Sequence, residues 1–150
     1  MLATAYDSPV RVVIFVLAVA AAAVVPASSA STIPGFRTPS GNIGCYYATA
    51  QTGVAAHLRC DIRTGLKPKP PRPKGCVELE WGDSFEMAAK GRVVVTCHGD
   101  TVIDPKAGVL RYGKTWARGG FTCTSKLAGL RCKNRSGHGF FMSKQHSYRF

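Results

Sequence analysis

From Ala30 onward, apolar and polar residues alternate in short runs separated by Gly, Pro, Asn and Asp. A period of two is the signature of half-buried strands. Between residues 54 and 63, Val54, Ala56, Leu58, Cys60 and Ile62 fall on one side, and Ala55, His57, Arg59, Asp61 and Arg63 on the other. This predicts a strand with one core face and one wet face. Ile43, Cys45 and Tyr47 alternate in the same way, and a turn at Thr52-Gly53 places Cys45 opposite Cys60 in a hairpin. Near the far end, Phe121-Thr122-Cys123 and Leu130-Arg131-Cys132 flank a turn centred on Leu127-Ala128, so Cys123 faces Cys132. Arg92 to Cys97 and Val109 to Tyr112 read as buried strands and Gly139 to Ser143 as the last, whereas Glu78 to Ala89 fits either one short helix or a strand pair. The expected fold is all-β: a small antiparallel sandwich or barrel of six to eight short strands, stapled by disulfides.

Two segments depart from this pattern. Lys67-Pro68-Lys69-Pro70-Pro71-Arg72-Pro73-Lys74 carries four prolines and four positive charges, so it is expected as a stiff, extended basic loop, either a ligand arm or a rigid connector. Residues 1–30 read as a secretory signal: a short leading region with Arg11 and Asp7, an apolar run from Val12 to Val25, then Pro26 and small residues ending at Ala30. The run falls short of the roughly 20 apolar residues that span a membrane. Cleavage after Ala30 is expected, and an uncleaved anchor is the alternative. Cys45 lies too far beyond the run for lipidation at a new terminus. The remaining 31–150 segment then forms a single exported domain.

Composition sharpens the picture. The chain has 150 residues and a formal charge of +12. Removing residues 1–30 takes away one basic and one acidic side chain, so the excess belongs to the exported domain. Six cysteines, none at C-x-x-C spacing, argue for disulfides in an oxidising compartment and against zinc or a thioredoxin-type site. The hairpins imply Cys45–Cys60 and Cys123–Cys132; Cys76–Cys97 follows by exclusion.

Several phrases, taken in order, resemble one family. They are Phe36 to Cys45, with Thr38-Pro39-Ser40-Gly41-Asn42-Ile43 inside it; Leu58-Arg59-Cys60-Asp61-Ile62; Cys97-His98-Gly99-Asp100-Thr101-Val102; Leu110-Arg111-Tyr112-Gly113 with Trp116; and Gly129-Leu130-Arg131-Cys132-Lys133-Asn134 running into Gly137-His138-Gly139-Phe140. The chain is similar over residues 36–143 to small exported bacterial proteins, mostly actinobacterial, classified as a domain of unknown function. That resemblance implies an exported domain with cysteines and supplies no activity.

Candidate chemistry rests on the residues themselves. The four histidines, His57, His98, His138 and His146, do not complete a metal-ligand spacing, and hydrolase elbows and phosphate loops are lacking. Neither a metal nor a cofactor is expected. Arg59, Arg63, Arg131, Lys133 and Arg135 alternate on strand positions, with His138, Trp116, Tyr46 and Tyr112 as further candidates. Such a basic face with aromatics suits anionic polymers: cell-wall phosphates, lipid head groups or extracellular nucleic acid. A non-catalytic binding module is the favoured expectation, with an exported protein as the other partner class. A small secreted ribonuclease is the alternative, with Glu78 or Glu80 as base, His138 as acid and Arg131 or Arg135 on the phosphate. The sequon Asn134-Arg135-Ser136 is treated as fortuitous.

Overall fold

A computed structural model describes residues 34–150; the expected signal and its cleavage point lie outside them. Ten strands make two antiparallel five-stranded sheets. The first holds β1 (Gly35–Arg37), β2 (Ile43–Ala48), β3 (His57–Ile62), β4 (Ser84–Ala88) and β5 (Val94–Val95), side by side in chain order. The second repeats that meander with β6 (Thr115–Arg118), β7 (Phe121–Lys126), β8 (Gly129–Lys133), β9 (Gly139–Met142) and β10 (Ser147–Arg149). Ten strands exceed the expected six to eight because β1, β5 and β10 have only two or three residues, too few to display alternation.

The sandwich-like arrangement follows from what each strand turns inward. Leu58, Cys60, Ile62, Phe85 and Met87 of the first sheet are buried, as are Phe121, Cys123, Leu130, Cys132, Phe140 and Met142 of the second. Aromatic rings join the layers, Phe85 to Phe140 at 5.5 Å and Tyr47 to Phe121 at 5.9 Å between centroids. Cys45 pairs with Cys60 in register and Cys123 with Cys132. Their Cα atoms are 4.1 and 4.0 Å apart, and disulfides bridge both pairs. A third disulfide, Cys76–Cys97, anchors the irregular stretch between β3 and β4.

Several expected elements differ in detail. Val54 is exposed in a tight turn where Gln51 and Val54 bond to each other, so β3 starts only at His57. Glu78 to Ala89 contains no helix; its second half is β4. Of Arg92 to Cys97 only Val94 and Val95 pair, with Glu86 and Phe85. Val109 makes a single parallel bridge to Arg37, and the region's ladder strand forms later, at β6.

Asp61, expected on the wet face, is buried. The segment after Cys97 crosses the outside of the first sheet and covers it, so closely that a Cβ at Gly44 would stand 2.8 Å from the Ile103 Cα. The basic loop is also docked: Trp81 lies between Lys69 and Arg72, with their charges 4.1 and 3.7 Å from its ring centroid, and its indole N–H donates to the Pro70 carbonyl. The Ser147 N–H donates to the Lys67 carbonyl and the Lys67 N–H donates to the Ser147 hydroxyl at 2.7 Å, which ties the loop to β10. The loop is thus held against the domain.

Candidate functional site

No described segment covers the outer face of the second sheet, and strand register sets out its side chains in rows. Thr115, Thr124, Arg131, Phe141 and Tyr148 are successive cross-strand partners from β6 to β10. In a neighbouring row, Thr122 faces Lys133 and Lys133 faces Gly139. Because strand side chains alternate, the partners of Cys123 and Cys132 point into the core and these rows point out. Lys126, Arg131, Lys133 and Tyr148 are exposed.

Aromatic rings stack on this face. Phe141 and Tyr148 are 5.4 Å apart at 23°, and His146 lies 5.0 Å from Phe141 at 27°. The Arg131 guanidinium carbon is 3.7 Å from the Phe150 ring centroid. A shallow recess of about 290 Å³ opens between Lys126, Arg131, Phe141 and Tyr148.

Among the described residues no carboxylate side chain pairs with these charges. Thr115 to Phe150, which holds the whole second sheet, contains seven Lys and Arg and no Asp or Glu. The ion pairs among the described residues, Arg59 with Asp61 and Asp100 and His98 with Asp83, all lie upstream of that stretch. The described residues are therefore polarised: their acidic side chains accompany the first sheet, and the second sheet carries none.

The sequence-predicted site residues divide accordingly. Arg131 and Lys133 lie on the rows. Arg135 is exposed in the turn after β8, beside Gly120. Arg63 is exposed next to β3 and donates to the Gly41 carbonyl at 3.1 Å. Arg59 is committed elsewhere, with Nε and Nη2 both 3.0 Å from the Asp61 carboxylate and Nη2 2.7 Å from the Asp100 carbonyl. Trp116 turns toward the core, against Phe36 at 5.1 Å and Tyr47 at 5.9 Å. His138 lies at the seam between the sheets, in a cleft with Arg92 and Arg149. Glu78 and Glu80 line no part of that cleft. Asn134 is buried and its amide donates to the Ala88 and Gly91 carbonyls, tying β8 to the opposite sheet. Among the described residues no group of three His, Cys, Asp or Glu is placed to hold a metal ion, and no helix is long and apolar enough to cross a membrane.

Lys126, Phe141, His146, Tyr148 and Phe150 escaped the sequence reading. Two signals could have found them: the acid-free run from Pro105, and the alternation of His146, Tyr148 and Phe150.

A family model, described as a family of unknown function (DUF6636), matches residues 12–150. The chain belongs to this family. No curated protein matches the sequence, and no solved structure matches it.

Proposed function

We propose that the protein is an exported, non-catalytic module that binds anionic polymers of the cell envelope on the outer face of its second sheet. The observation that carries this reading is the acid-free face itself, where Arg131 lies in register with the stacked Phe141 and Tyr148. Cations unopposed by carboxylates attract a polyanion over a distance comparable to the Debye length. Flat rings beside them give a repeating chain a surface to lie on. Three disulfides suit an oxidising compartment outside the cytoplasm, and the 1–30 segment supplies the export signal, with the mature chain beginning at Ser31.

The test is retention on heparin and on purified cell wall across a salt series. Retention that weakens steeply with salt and is lost in Lys126→Glu with Lys133→Glu is expected. Salt-insensitive retention, or retention unchanged in that variant, overturns the reading. N-terminal sequencing of culture filtrate checks the export step, with Ser31 as the expected first residue.

A further inference from the structure

At the seam of the sandwich, where Val93 next to β5 approaches β10, a cleft of about 610 Å³ opens. That volume lies within the roughly 300–1,000 Å³ typical of small-molecule sites. Arg92, His138 and Arg149 supply its charge and N–H donors; Tyr148 and Phe150, whose rings also belong to the outer face, border it, and Pro68 and Pro70 of the docked basic loop close one side. Among the described residues no Asp or Glu lines it.

The cleft is held open by specific contacts. Arg149 spans the seam by donating from Nη1 to the Val93 carbonyl at 3.2 Å, which fixes its guanidinium and leaves its other N–H groups for a ligand. Neither Arg92 nor His138 joins an ion pair among the described residues. The glycine after His138 lets β9 lie close to its neighbours. A Cβ on Gly139 would collide with the Cys132 carbonyl and stand within 2.9 Å of the Phe150 ring. Gly139 also exchanges both main-chain hydrogen bonds with Phe150, each 2.9 Å. Thus the Gly137-His138-Gly139 segment presents an imidazole beside a ring whose position depends on glycine.

Two guanidinium groups and an imidazole around one recess suit a phosphate, because Arg forks donate in parallel to its oxygens. Flanking rings add a stacking surface of one ring's breadth. We propose that this seam cleft binds a small organic phosphate bearing one planar ring, of nucleoside monophosphate size. The cleft shares Tyr148 and Phe150 with the outer face but none of Lys126, Arg131 and Lys133, so its ligand binding does not depend on polymer binding.

The experiment is calorimetric titration of the full chain, disulfides intact, with adenosine 5′-monophosphate, ribose 5-phosphate and adenosine. Saturable binding of the monophosphate is expected, at least tenfold tighter than either fragment and at least tenfold weaker in Arg92→Ala, an exposed position whose loss leaves the core intact. His138→Gln should weaken it severalfold. Lys126→Glu with Lys133→Glu should leave it within twofold while abolishing heparin retention, which separates the two sites. No binding, equal binding of adenosine, equal binding of ribose 5-phosphate, or a monophosphate affinity unchanged in Arg92→Ala overturns the proposal.

Discussion

Asp61 shows how one buried charge organises a loop. Its carboxylate takes a bidentate pair from Arg59, a hydroxyl bond from Thr101 at 3.1 Å and the Val102 N–H at 2.9 Å. Burial without those partners would cost several kcal/mol, so the segment that supplies two of them is drawn across the first sheet. Arg59→Ala leaves the carboxylate buried and half-satisfied. It should destabilise by about 3–5 kcal/mol, the range for removing one partner of a buried pair. Arg63→Ala, losing one exposed bond to a carbonyl, should cost about 1 kcal/mol or less. Urea titrations of the two variants check the difference. Near-equal midpoints would mean that Asp61 does not need its arginine. Gly44→Ala probes the same loop from beneath, since its new methyl must displace the backbone at Ile103. A cost of roughly 1–3 kcal/mol is expected by the same denaturation measurement.

At the scale of elements, the long hairpins were legible and the edges were not. β2–β3 and β7–β8 have five or six residues per strand, enough for alternation to fix which side chains face the core and for turn position to fix register. Cys45 opposite Cys60 and Cys123 opposite Cys132 follow from that register. The edge strands β1, β5 and β10 take their form from neighbours, and no local pattern marks them. Alternation also says which face of a strand is apolar without saying whether something covers the other face. For that reason Asp61 reads as wet in sequence and is buried in the fold. The candidate site divided likewise. Arg131 and Lys133 could be placed by alternation, whereas the Phe141–Tyr148 stack needs β9 and β10 paired. The irregular stretch between β3 and β4 depends most on a covalent link, because it contributes no strand of its own. Constraining a loop of 21 residues is worth about 3 kcal/mol in chain entropy, against somewhat less for the 9-residue separation of Cys123 and Cys132. Cys76→Ser with Cys97→Ser should therefore raise amide exchange first across residues 64–83 while the β7–β8 hairpin stays protected. Uniform loss of protection would instead show that this bridge holds the whole sandwich.

For the whole molecule, the decisive property is where the charge lies, more than its sum. A +12 chain would attract polyanions weakly from every side if its cations were evenly spread. Here the carboxylates gather with the first sheet, and the second sheet faces solvent with none. Opposite outer faces of a sandwich are separated by more than the roughly 10 Å between packed sheets, a distance already near the Debye length at 0.1 M salt. At that ionic strength a bound chain senses the face it lies on and little of the other. Single-stranded DNA serves as a probe of known counterion behaviour: each neutralised phosphate contributes about 0.7 to the slope of log affinity against log salt. Reversing Lys126 and Lys133 to Glu removes two such contacts, so the slope should become shallower by about 1.4. The same net change made as Arg63→Glu with Lys106→Glu, on the side of the first sheet, should leave the slope nearly unaltered above 0.1 M. Filter binding over a salt series measures both. Equal flattening by the two pairs would mean that only net charge acts, and the polarised face would lose its claim to be the binding surface.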